Sequence, residues 1–398
     1  MANTLKLGAG KWATGKDTVL AFNDENNNFK PLPFSFSRAS SATVVNQSGL
    51  IETVGSGEPR IDFLGNTKGA LLLEPSRTNL ITQSEAFDNS YWTKSGSSVV
   101  GGFASPSADS PLGAFKLVAT NNDPYIYKTG LNVTANTQTA SIYVKGVGSS
   151  IGKEGRILFW YIGTAGGTTL SVPFTFTSDW QRVQGSSTPT SGGTIALRID
   201  LPDVSVVGEE VLIYGAQLEQ GSYPTSYIPT SGQSGGVTRV RDLSDTQNLS
   251  HVIGQTEGVI FYDAILIHKS TDTSEDLFEL SIDDGSNQNI FFINNYNNGL
   301  TVAMVNGGSY QFTNNSFNPT EGARYKLAFA YKQNDFALYI NGTQIATDLS
   351  GTVPTMNQIT FGNYYNNQSN LSNSVKINDL KLYNTRLSNS ELAALTTI

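Results

Sequence analysis

The chain contains no cysteine, which removes disulfides, thiolate metal sites and thiol nucleophiles and leaves burial and hydrogen bonding to supply all stability. Histidine is nearly absent as well. His251 and His268 stand near predicted strand ends without cysteine partners, so surface or edge roles are expected of both. Charge is scarce at 15% of residues, and the net charge of −8 denies the basic surface that phosphate backbones need, so no nucleic-acid partner is expected. No apolar run approaches the roughly 20 residues that span a bilayer, and Met1 to Lys6 shows no basic-then-apolar leader. Synthesis in a cytoplasm without membrane insertion is the expectation.

What the chain has in quantity is Gly, Ser, Thr, Asn and aromatic residues, over a length of 398 residues that allows two or three domains. The most informative stretch is Arg324 to Thr347. Leu327, Phe329 and Tyr331 alternate with small or charged residues, and Phe336, Leu338 and Ile340 repeat the alternation after a polar turn. Asn341-Gly342 then offers the positive φ angles of a tight hairpin. Three strands of this kind form a meander that cannot bury its own apolar face, so a second sheet has to cover it. Val259 to Ile267 is apolar on both faces and reads as a central strand. A short C-terminal helix is announced by Ser388 as N-cap with Glu391 three residues on, and by Leu387 and Leu392 as a hydrophobic staple.

These patterns predict an all-β protein: an extended N-terminal β-rich arm and connector over 1–80, followed by two antiparallel β-sandwich (jelly-roll) domains over 81–230 and 231–398. The arm has a polar hairpin loop over 23–28 and extended backbone at Pro31 and Pro33, yet few apolar residues. It is expected to order on a neighbouring subunit or particle in preference to folding back on its own chain. In the middle body, short strands such as Ile195-Leu197-Ile199 and Leu212-Tyr214-Ala216-Leu218 alternate between turns. Ser231 to Gly236 reads as a flexible linker. Gly10 to Lys16 matches the spacing of a phosphate-binding loop. Asp17 stands where the metal-holding hydroxyl belongs, and neither a buried strand nor a helix flanks it, so a surface loop is the better reading.

Two resemblances add to this reading. Arg324 to Thr347, Ile359-Thr-Phe-Gly and Val375-Lys-Ile-Asn-Asp-Leu-Lys-Leu-Tyr-Asn resemble the laminin-G-like or concanavalin A-like jelly roll. Glu74-Pro-Ser-Arg-Thr-Asn-Leu-Ile, Ser84-Glu-Ala-Phe, Trp180-Gln-Arg-Val and Tyr214-Gly-Ala-Gln-Leu-Glu through Tyr227-Ile-Pro-Thr resemble segments of tailed-phage tail and fibre proteins, where they accompany a carbohydrate-binding-module-like sandwich. Phe36-Ser-Arg-Ala-Ser-Ser and Pro59-Arg-Ile-Asp resemble the connecting module of the same proteins. The resemblance implies a virion structural protein, a tail-fibre or appendage component docked to other virion proteins through residues 1–35. It also implies a homo-oligomer, a trimer, that meets host-surface glycans. A capsid decoration or head-fibre protein and a glycan-degrading enzyme are the alternatives.

Catalysis finds little support. Hydrolases of the concanavalin A-like fold carry Glu-x-Asp-x-x-Glu on one strand, and Glu275, Asp276, Glu279, Asp283 and Asp284 have other intervals. No cofactor is expected. Asp283 and Asp284 form a weak calcium candidate, but Asp284-Gly285 alone explains a hairpin turn. For sugars, Tyr296 with Asn297, and Tyr364 and Tyr365 with Asn366, combine rings that stack on pyranose faces with carboxamides that donate and accept. Trp92, Trp160 and Trp180 are expected in the core.

Overall fold

The computed structural model describes residues 3–23, 30–201, 206–268, 277–296, 299–362 and 374–398. Almost all regular structure among them is β-strand, with a single α-helix at Asn389–Thr396.

The C-terminal body follows the sequence pattern closely. Strand Arg324–Lys332 pairs with Phe336–Ile340, which pairs with Thr343–Asp348, and Asn341 (φ 51°) and Gly342 (φ 80°) make the left-handed turn between the last two. The two-faced strand Glu257–Leu266 is central, flanked by Arg324–Lys332 and Val375–Tyr383. Its residues Ile260, Tyr262, Ala264 and Leu266 enter the main core, while Val259 and Phe261 face a second core beneath the helix. A facing layer runs Ser309–Phe317, Gly299–Asn306, Ile290–Tyr296, Leu277–Asp283, Gln358–Phe361, Leu243–Thr246. The helix is capped as its sequence announces. The Ser388 side chain accepts from the Glu391 backbone N–H, the Glu391 carboxylate returns to Ser388, and Leu387 and Leu392 are buried under it.

The N-terminal residues are not a detached arm. Strand Leu5–Gly8 pairs antiparallel with Val375–Tyr383, from Leu5↔Leu382 to Gly8↔Asp379. Thr18–Asn23 and Lys30–Ser37 form a hairpin, and Lys30–Ser37 continues onto Leu243–Thr246. The three strands thus bridge the two layers of the C-terminal sandwich on one side. Leu5, Leu7, Val19, Ala21, Phe34 and Phe36 are buried in the same core as Ile260, Leu327 and Phe361. Ordering on a neighbour is therefore corrected to folding back on the same chain. The stretch looked apolar-poor because each strand supplies one face to a core whose other walls come from the far end of the sequence.

Between the two ends sits the second sandwich. One sheet runs Thr93–Ser95, Tyr125–Val133, Gly193–Asp200, Glu154–Trp160, Leu170–Thr175, and the other Ser97–Phe103, Ala114–Ala119, Glu210–Gln220, Gln138–Val147, Gln181–Ser187. Their inward faces share a core of their own that includes Phe87, Trp92, Ile142, Phe159 and Leu197. This module enters and leaves through a neck in which Arg77–Asn79 pairs with Val237–Arg239. It is an insertion into a body built from both chain ends, so the expected boundaries at 80 and 231 do not separate an arm from a C-terminal domain. The expected flexible linker is likewise tied down. The Gly232 N–H donates to Thr82 O at 2.6 Å, and Gly236 (φ 88°) lies so close to the neck that a Cβ there would stand 2.0 Å from Asn79 O. Glycine serves close approach at this position, not freedom.

Candidate functional site

The motif residues gather where the insert meets the body, and most of them act as a clamp. Asn79 is fully buried and satisfied on both sides: its Nδ2 donates to Ala216 O (3.1 Å) and Ile228 O (2.8 Å), and its Oδ1 accepts from the N–H groups of Ile81 (3.0 Å) and Leu218 (3.1 Å). Gln217 and Glu219, alternating on strand Glu210–Gln220, reach the returning segment. Gln217 Oε1 accepts from Ile228 N–H at 2.7 Å, and Glu219 takes the Thr225 N–H and hydroxyl at 2.7 and 2.8 Å. Glu85 accepts from both the Tyr214 and Tyr227 hydroxyls at 2.9 Å.

Beneath this clamp lies a buried ion cluster. Arg60 Nη1 donates to Glu74 Oε2 and to Ser226 Oγ, each at 2.7 Å, and its Nη2 pairs with Asp242. Arg38 Nη1 reaches the other Asp242 oxygen at 3.0 Å, and Arg239 Nη1 stands 3.5 Å from Glu74. Burial opposes charge throughout. For Glu74 that burial is outweighed by Arg239 and Arg60, which hold its carboxyl well below the usual carboxylate range. The cluster joins the connector, the insert's last segment and the strand that re-enters the body.

Above the cluster opens the largest cavity among those described, about 530 Å³, walled by all three segments. The insert contributes Tyr143, Trp180, Arg182 and Pro224 to Tyr227. The connector contributes Thr43 to Val45, Ile51, Asp62 and Leu64, and the body adds Ile265, Ile267 and Lys376. Strand alternation puts Trp180 and Arg182 on one face while Val183 turns into the core, which explains why a tryptophan expected inside lies half-exposed in this cleft. Arg182 is fixed by donation to Thr225 O (2.7 Å) and Ser141 Oγ (2.9 Å), with its guanidinium 5.4 Å from the Tyr143 ring centre. Lys376 Nζ pairs with Asp62 at 2.6 Å. Burial raises the Tyr143 phenol, and Arg182 eases the shift. Neither the Tyr143 hydroxyl nor the Trp180 indole N–H has a hydrogen-bond partner among the described residues.

Such a cleft offers ring faces, a free hydroxyl, a free indole donor and a fixed cation, the groups that hold a polyhydroxylated ligand. Its two carboxylates are both committed to cations. A glycosidase acid needs a carboxyl held protonated near neutrality, and Glu74 is shifted the opposite way.

The residues proposed from sequence lie elsewhere. Asn297, Tyr364, Tyr365, Asn366 and the Tyr296 side chain fall outside the described residues. The strands that precede them in sequence, Ile290–Tyr296 and Gln358–Phe361, flank Leu277–Asp283 and both finish at the same end of the sheet. Asp283 and Asp284 occupy a hairpin turn. Asp283 Oδ1 accepts from Gly285 N–H (2.8 Å) and from Gln358, and Asp284 takes Ser286 N–H (3.0 Å) and Asn289 Nδ2 (2.8 Å). Among the described residues no three acidic or histidine side chains gather as metal ligands. Trp92 is core and donates to Gln83 O, whereas Trp160 is half-exposed beside Tyr127. His251 is exposed. His268 stacks on Tyr223 at 4.3 Å across the boundary between body and insert.

Residues 266–393 match the family model described as the concanavalin A-like lectin/glucanases superfamily. The C-terminal sandwich is a concanavalin A-like jelly roll. The matched residues begin at the last residue of the central strand Glu257–Leu266. Among solved structures, the CBM40 of Ruminococcus gnavus IT-sialidase bound to alpha2,3 sialyllactose is similar at 19% identity and a TM-score of 0.32, over 38% of this chain and 91% of that one. The binding domain of botulinum neurotoxin DC in complex with rat synaptotagmin II is similar at 17% identity and a TM-score of 0.32, over 39% of each chain. The botulinum neurotoxin serotype G binding domain is similar at 12% identity and a TM-score of 0.31, over 38% of this chain and 39% of that one. No curated protein sequence matches the chain.

Proposed function

We propose that the protein is a non-enzymatic glycan-binding component of a tailed-phage virion, a fibre or appendage subunit. Its junction cleft would take a sugar of a host-surface polysaccharide. The observation that carries the binding reading is the cleft itself: about 530 Å³ with the Trp180 and Tyr143 rings half-exposed and their polar tips unpartnered, beside a fixed Arg182. The virion role rests on the resemblance of the clamp motifs to tail and fibre proteins. The bridging strands bear on docking. Strands Leu5–Gly8, Thr18–Asn23 and Lys30–Ser37 are used inside the jelly roll, so attachment to other virion proteins falls to exposed surface and not to a free arm. The loops carrying Tyr296, Asn297, Tyr364, Tyr365 and Asn366 stand as a second sugar site on the jelly roll.

A glycan array read with wild-type, Trp180→Ala and Tyr364→Ala proteins tests the reading. Loss of a specific signal with Trp180→Ala supports the cleft, loss with Tyr364→Ala alone moves the site to the loops, and no signal from wild-type protein leaves the capsid-decoration alternative. Release of reducing ends from host polysaccharide would refute the non-enzymatic assignment. Labelling the protein on purified particles tests the virion role, which fails if particles carry none.

A further inference from the structure

The buried cluster under the cleft is out of balance in charge and in hydrogen bonds. Three guanidinium groups, Arg38, Arg60 and Arg239, face two carboxylates, Glu74 and Asp242. Adding the neighbouring Arg182 and Glu219 contributes one charge of each sign and leaves the excess unchanged. This positive excess is buried in a chain whose net charge is −8. The donors tell the same story at Arg239, which is 1% exposed. Its Nη2 donates to Pro75 O at 2.8 Å, but its Nε and Nη1 have no hydrogen-bond partner, and its carboxylate neighbours stand off at 3.5 and 3.8 Å. Burial pushes the Arg239 guanidinium down in pKa despite Glu74, whereas Arg60, held by both carboxylates, is raised.

Arg239 also lines a small, partly open cavity of about 30 Å³, beside Ala42, Thr43, Thr53 and Tyr227. That volume accepts one compact occupant, and a buried cation in excess of its carboxylate partners, with donors left unbonded, is costly to a protein interior. We propose that this cavity binds a small monovalent anion of the chloride class, held by the free N–H groups of Arg239, which completes the charge balance at the junction of insert and body. A water molecule would satisfy the donors without supplying the missing charge. The exposed Thr53 at the cavity's edge gives a path from solvent.

Thermal unfolding of the full chain in sodium chloride against sodium gluconate at matched ionic strength is the first test. Each tenfold rise in chloride above its dissociation constant should multiply the folding equilibrium constant by about ten, and gluconate, too large for the cavity, should not. Ala42→Val narrows the cavity and keeps every charge, so it should abolish the chloride dependence even if Arg239→Met fails to fold. A bromide-soaked crystal should show an anomalous peak against Arg239. Superimposable melting curves in the two salts, or a cavity holding water only in the bromide crystal, would overturn the proposal.

Discussion

Replacing Glu279 with glutamine should change the pH dependence of stability in a direction and size fixed by its surroundings. Glu279 lies fully buried on strand Leu277–Asp283, with the Tyr325 hydroxyl donating to Oε2 and Oε1 left without a partner. Burial pushes its carboxyl up from 4.5 to about 7, and the Tyr325 hydroxyl only moderates the shift. Between those two values the folded protein holds a proton that the unfolded chain has released. Stability therefore falls as pH rises from about 4.5 and levels off above about 7. At about 1.4 kcal/mol per unit, the shift amounts to about 3 kcal/mol lost across that window. Glutamine keeps an acceptor for Tyr325 and does not titrate. The stability difference, Glu279→Gln minus wild type, should thus rise by about 3 kcal/mol between pH 4.5 and 8. Asp283 is raised to about 6 by burial and contributes with the same sign, but it is present in both proteins and cancels in the difference. Denaturant titrations at several pH values, read by hydrogen exchange in Glu257–Leu266 and Arg324–Lys332, isolate the jelly roll from the insert. Parallel curves for the two proteins across the whole window would refute the reasoning.

Three further outcomes are expected. Arg60→Met leaves Glu74 and Asp242 buried without their shared cation and should cost about 3–5 kcal/mol in denaturant unfolding, with Arg60→Lys recovering only part because one ammonium cannot bridge both carboxylates. Deleting residues 1–37 removes the strands bridging the two layers. The truncated protein should aggregate or lose hydrogen-exchange protection along Val375–Tyr383 and Leu243–Thr246, and retained protection there would contradict the bridging role. Ser388→Ala breaks the capping box and should cost about 1 kcal/mol, measured as a lower unfolding free energy with the sheet's exchange pattern unchanged.

What the sequence made legible follows the range of the interactions. Meander, hairpin turn, two-faced strand and capped helix all depend on residues close together in sequence, and each stands where its pattern put it. The N-terminal strands depend on partners at the opposite end of the chain. Lys6 and Lys381 are neighbours across a ladder, and no local period encodes that. Trp180 shows a subtler failure. Composition puts tryptophan inside, and only the alternation with Val183, read with Arg182 on the same side, signals a face turned outward. The motif residues Arg38, Arg60, Glu74 and Asn79 were visible as a recurring pattern, but their role as a clamp needed their convergence in space.

That convergence explains why the cleft lies where it does. A module inserted through a two-strand neck would swing unless something fixed it, and the buried cluster ties its last segment, through Ser226, to Glu74 and Arg60 of the body. The tied junction leaves a gap above itself, lined by insert, connector and body together. The gap's walls are held by bonds that no ligand has to form: Arg182 to Thr225, Lys376 to Asp62, Thr43 to Tyr227. A sugar entering it would meet side chains already ordered, so little of the binding free energy is lost to arranging them. The ion cluster is therefore best understood as part of the proposed site. It costs desolvation where hydrophobic packing would cost none, and what it secures in return is the fixed orientation of three surfaces that the fold alone would leave free.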